Sequence, residues 1–209
     1  SGSSGPSLSW FGRELTFVLD PDGTEDMQGN VELDILRRSF AQWGPVSVNG
    51  QIEGTPVQES EPSLRSSDLL FLEEDNGSVV VRIGYDFLSP EHNQNLVTFS
   101  DATWFDFATR TSTIALTTST YVVPTGQILD ADIEFNSAYH RFVDCALEPQ
   151  CSDGDKASGL TDLQNTAVHE IGHYLGLAHT RYIEGTMYGS AQHGETHKQN
   201  LDGDARDGV

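Results

Sequence analysis

The chain has 209 residues, with 11 Lys and Arg against 32 Asp and Glu, a formal net charge of −21 and 36% hydrophobic residues. That length suits one domain or two small ones and buries a core without disulfide or metal staples. The charge sets aside nucleic acid and anionic membrane surfaces as partners, because phosphates would be repelled rather than neutralised, and no apolar run reaches the roughly 18 residues of a membrane-spanning helix.

Ser1–Gly5 is a low-complexity stretch that looks like a tag remnant or processing scar and has no apolar signal-peptide core. Residues 1–8 therefore read as a flexible lead-in and 9–209 as one domain. Glu14–Leu19, short, apolar and β-prone, predicts a strand ended by Pro21-Asp22-Gly23. Leu33, Leu36, Phe40 and Trp43 then fall at helical spacing, with Asn30 to cap the start and Gly44-Pro45 to stop the run. Further strands are expected at Ser47–Ile52, Leu69–Leu72, Val79–Ile83, Thr113–Leu116 and Ile128–Phe135. The last of these alternates near its end, as a strand with one wet face should. The stretches Leu88–Arg110 and Tyr139–Gly159 give no clear signal. Thr161-Asp162-Leu163-Gln164 reads as a capping box opening a helix with an apolar face of Leu163, Ala167, Val168, Ile171 and Leu175, which stops at Gly176. Leu201–Val209 begins another helix. This order predicts an α+β or α/β sandwich with a mainly five-stranded sheet.

Two features of the loops leave alternatives open. Asp20-Pro21-Asp22-Gly23, Asp153-Gly154-Asp155 and Asp202-Gly203-Asp204 either serve solubility or offer oxygen ligands to Ca2+, although none has EF-hand spacing. Cys145 and Cys151 are too few for a four-ligand zinc site. They form either a small disulfide loop or two free thiols, and exposure to oxidation in a polar loop favours the disulfide.

The chemistry concentrates in one helix. His169 and His173 are four apart and leave one helical face about one turn apart, which suits two nitrogen ligands on one Zn2+. Glu170 sits beside the first ligand, placed to reach a zinc-bound water as general base without ligating. Gly176 allows a sharp reversal, which returns His179 as a third ligand. Three imidazoles leave the fourth position open to water, the arrangement of a catalytic rather than a structural zinc.

The run His169-Glu170-Ile171-Gly172-His173, then Gly176 and His179, followed by Gly185-Thr186-Met187-Tyr188, resembles the signature of the metzincin zinc endopeptidases. Among these it looks most like a bacterial matrixin-like protease. Thr180 stands where matrixins commonly have Ser, and Met187-Tyr188 is similar to the Met-Tyr of the matrixin turn. Astacin-like and serralysin-like enzymes place a zinc-reaching Tyr where Gly189 stands here. Ile128–Asn136 resembles the strand before the matrixin active-site helix, Ser9–Trp43 loosely resembles the first strand and helix, and Leu201–Val209 the start of the last helix. Gly189 also departs from the Pro frequent in matrixins, and neither a second-zinc His/Asp pattern nor a cysteine switch is found.

The resemblance implies an α/β/α-like metzincin catalytic domain over 9–209, with a mixed five-stranded sheet, an active-site helix and a backing helix. It implies a secreted zinc-dependent endopeptidase acting on protein or peptide substrates with one catalytic Zn2+, and Met187 as an apolar floor beneath the ligands. Substrate would lie extended and antiparallel to an edge strand, for which Thr113–Thr118 is the candidate; Thr113, Ile114, Ala115, Leu116 and Tyr188 are the expected substrate-binding residues. His92, His140, His193 and His197 have no assigned role; His193 and His197 are four apart but lack a helix signal. The rival readings are a zinc-binding interaction domain that no longer cleaves and an inactive module that binds partners through the edge strand. Glu170 argues against the first of these, since a purely structural site gains little from a carboxylate beside the metal; among enzymes the main rival is another metzincin family, such as one with a narrow or self-processing specificity.

Overall fold

Helix α1 (Val31–Gln42) forms where the apolar spacing predicts and buries Leu33, Ile35, Leu36 and Phe40. It lies against strand β1 (Leu15–Leu19), with Phe40 stacked on Phe17 at a ring-centroid distance of 3.8 Å. Each such aromatic or aliphatic side chain contributes roughly 1.5–3 kcal/mol on burial. The computed structural model describes residues 6–11, 15–20, 23–29, 31–44, 47–48, 51–52, 57–59, 84–88, 90, 93–101, 104, 111–151 and 159–208.

Among these residues the remaining strands are β2 (Ser47–Val48), β3 (Gln51–Ile52), β4 (Val57–Glu59), β5 (Leu96–Phe99), β6 (Ala115–Val122), β7 (Gln127–Phe135), β8 (Arg141–Val143) and β9 (Leu160–Asp162). The main sheet has the order β4-β1-β5-β7-β6, with every pair parallel except β6 and β7. The expected Ser47–Ile52 strand is instead the antiparallel pair β2-β3, and Leu69–Leu72 and Val79–Ile83 lie outside the described residues.

Strand β7 departs from the expected single wet face. Asp130, Asp132 and Glu134 are all at most 5% exposed, while Ala131, Ile133 and Phe135 join the core on the other face. The residues pointing to either side of the strand are all nearly inaccessible, so both faces are covered as well as both edges, which pair with β5 and β6. Asp132 accepts hydrogen bonds from the backbone N–H of Leu96 at 2.8 Å and of Gly84 at 2.5 Å. Burial raises the pKa of Asp130, Asp132 and Glu134 above the ordinary carboxylate range.

Helix α2 (Leu163–Tyr174) is capped by Asp162, not by Thr161: Asp162 Oδ1 accepts from Asn165 N at 2.6 Å. Thr161 is drawn into β9, which pairs in parallel with β8. Gln164, expected to reach back to the cap, accepts instead from Arg38 Nε of α1 at 2.7 Å. Trp43 Nε1 donates to Val168 O at 3.0 Å and Phe40 meets Tyr174 edge-on, so α1 backs α2 directly. The disulfide Cys145–Cys151 closes the loop after β8, and Cys145 N donates to Asp162 Oδ2 at 3.0 Å.

Helix α3 (Gly203–Asp207) starts at Asp202, whose oxygens accept from Ala205 N at 2.7 Å and Thr186 N at 2.6 Å. That candidate calcium loop is therefore a helix cap. Asp20 O accepts from Gly23 N at 3.2 Å, while Pro21, Asp22 and Asp153-Gly154-Asp155 lie outside the described residues. Among the described residues no helix is long and apolar enough to cross a membrane.

Candidate metal centre

His169 and His173 project from one face of α2 with ring centroids 4.8 Å apart. The chain reverses after the helix at Gly176, whose φ of +101° is strained for any residue with a Cβ; a Cβ there would also lie 2.6 Å from Leu8 O. The reversal brings His179 Nε2 to 3.2 Å from His169 Nε2 and 3.0 Å from His173 Nε2. Among the described residues this is the group of three that could hold a metal, its ligand atoms all within 4.8 Å of one another.

The outer ring nitrogens set the tautomers. His169 Nδ1 donates to Thr186 O and His173 Nδ1 to Leu177 O, each at 2.7 Å. A carbonyl only accepts, so these Nδ1 atoms carry the protons and the Nε2 lone pairs point at one centre. Converging lone pairs repel one another unless a cation lies between them, and neutral imidazole nitrogens suit zinc. Burial pushes the His169 pKa down to about 3 and lowers those of His173 and His179, keeping the rings in the ligating form. The donor set therefore fits the metal.

Glu170, 6% exposed, lines the same cleft as the three histidines. Its Oε2 accepts from Thr117 Oγ1 on β6 at 2.7 Å. Burial pushes its pKa up to about 7 against the opposing hydrogen bond from Thr117 and the charge of Lys198. The cleft above has a volume of about 540 Å³; the expected residues Thr113, Ile114, Ala115, Leu116 and Tyr188 all line it, as does Leu8 at the end of the lead-in. Strand β6 starts two residues later than expected and runs on to Val122. Its Thr117-Thr118-Ser119-Thr120 centre shows no apolar alternation, and β-branched threonine suits a strand without announcing one.

Met187 is 3% exposed and packs under α2. A Cβ added to Gly172 would collide with the Met187 sulfur and lie 3.1 Å from Trp43 Cζ2. Alanine is the better helix former, yet Gly172→Ala should cost about 1–3 kcal/mol by overpacking. Equilibrium urea denaturation reads this as a lower midpoint at unchanged slope; an unchanged or higher midpoint would show that the sulfur has room to move.

Sequence reasoning missed Thr117 and Lys198. Lys198 is 2% exposed; its Nζ donates to Tyr188 O at 2.9 Å and Ser190 O at 2.7 Å and pairs with Glu195 at 3.2 Å. It pins the loop after Met187, but a single Lys in a polar stretch carries no sequence signal for such a role. Gly189 is explained by contact: a Cβ there would lie 2.8 Å from the His179 ring. His197 is exposed, 3.6 Å from Glu195, and His92 lies outside the described residues. A model of the matrixin family matches residues 9–209. No curated protein matches the chain.

Proposed function

The chain belongs to the matrixin family and is a zinc metalloendopeptidase, and from that premise we propose that His169, His173 and His179 hold the zinc and that Glu170 is the general base of peptide-bond hydrolysis. The observation that carries this reading is the convergence of the His169, His173 and His179 ring nitrogens, two of them turned inward by the Nδ1 donations to Thr186 O and Leu177 O, in a cleft that Glu170 also lines. When bound, zinc supplies Lewis acidity to a water and to the scissile carbonyl.

Glu170 takes the proton of the attacking water and passes it to the leaving amine. The Thr117 hydroxyl holds the carboxylate in place. Met187 supplies the apolar floor, and Lys198 holds the Tyr188–Ser190 wall. Among the described residues β6 ends the sheet, so an extended substrate can add to it antiparallel along Thr113–Thr118.

Residues 9–209 make up the catalytic domain in this reading, and Leu8 joins the cleft wall at its entry. The protein works outside the cell: matrixins are typically extracellular, and the Cys145–Cys151 disulfide fits an oxidising compartment. Its partners are protein or peptide substrates, and the net charge of −21 disfavours nucleic acid.

Casein hydrolysis should stop when a chelator removes the metal and return when zinc is added back. A protein that binds one equivalent of zinc tightly but leaves casein and a peptide library intact would instead be a zinc-binding interaction domain.

A further inference from the structure

His140 follows the turn after β7 and is 7% exposed. Neither its Nδ1 nor its Nε2 makes a hydrogen bond of good geometry. The backbone of Thr113 is a weak partner of the ring, and its carbonyl also accepts from Asn136 Nδ2 at 2.7 Å; a ring that leans on one carbonyl still has its other nitrogen unmatched. His193 lies on the loop that follows the Met187 turn, and its Nδ1 is likewise buried without a partner. The fold brings the two together: Gly194 N donates to Leu160 O at 2.9 Å, Leu160 pairs with Arg141 in the β8-β9 ladder, and the rings of His140 and His193 stand 6.5 Å apart between centroids. Ser137 Oγ, on the same turn as His140, is also buried and unpartnered.

Buried polar atoms are rarely left unmatched, so a cluster of them calls for something to fill it. We propose that His140 and His193 form a second metal site, for a divalent cation of the zinc class, distinct from the His169-His173-His179 centre. Two neutral imidazoles select zinc-like ions over calcium, which takes oxygen ligands. Water completes the coordination, so binding is weaker than at the triad. The rings are farther apart than those of the triad, whose centroids are 4.6 to 5.2 Å apart, and the cation draws His193 inward on its loop. Its effect is to fasten the loop beyond Ser190 to the end of β7.

The test is a zinc titration of the holoprotein against a competing indicator of micromolar affinity. The parent protein should take up one equivalent beyond the tightly held one. His193→Ala, on a half-buried loop residue, should lose that second equivalent and keep the first, with casein hydrolysis retained; His140→Phe should do the same. A parent that takes up no further zinc overturns the proposal, as does a second equivalent that persists in His193→Ala. The first equivalent should be lost in His179→Ala and not in His193→Ala, which separates a failure of the catalytic assignment from a failure of this one.

Discussion

Glu170→Gln should leave a folded, zinc-loaded protein whose peptidase rate is at least about a hundredfold lower, because general-base assistance is worth roughly 10²–10⁴-fold. Glutamine keeps the volume of a side chain that is 6% exposed, so packing beneath the cleft is preserved. Its amide oxygen can still accept from Thr117 Oγ1, which now donates to the carboxylate at 2.7 Å. What it cannot do is take a proton from water and return it to the departing amine. The three histidines are untouched, so zinc should stay. The measurement is the initial rate of casein cleavage per bound zinc, variant against parent. A variant that keeps both its zinc and most of its rate would remove Glu170 from the mechanism and leave the metal assignment standing.

His179→Ala should take the tightly bound zinc with it. Helix α2 presents His169 and His173 in any folded state, because their spacing is helical. The third nitrogen depends on the reversal at Gly176, and the His179 ring is largely exposed. Its loss should therefore spare the core while leaving two protein ligands. Changing a residue that merely orients a ligand costs about 10–100-fold in metal affinity, and losing a ligand outright should cost more than that. Metal analysis after extensive dialysis should fall from one equivalent to well under one, and casein hydrolysis should disappear. His197→Ala is the control: that ring is exposed beside Glu195, and the tight zinc should remain. Equal losses in the two variants would mean that the third ligand is misassigned.

What the sequence determined by itself is what depends on residues a few positions apart. The 3.6-residue spacing of Leu33, Leu36 and Phe40 reports α1, and the four-residue spacing of His169 and His173 reports two ligands on one helical face. The reversal at Gly176 is equally local, since only glycine takes its φ of +101° without strain. The rest was decided by contacts between distant segments. Leu96–Phe99 sits in a polar, aromatic-spotted stretch with no clear pattern of its own; it becomes β5 by pairing with β1 on one side and β7 on the other. The cap of α2 is Asp162 rather than Thr161 because the β8-β9 ladder keeps the chain extended through Asp162, which pairs with Val143, so that the helix starts only at Leu163. Thr117 meets Glu170 from 53 positions away in the chain, and His140 meets His193 only because two loops converge on one end of that ladder. No local periodicity records these meetings, because the free energy that selects them comes from burying apolar surface and satisfying polar groups across the whole fold.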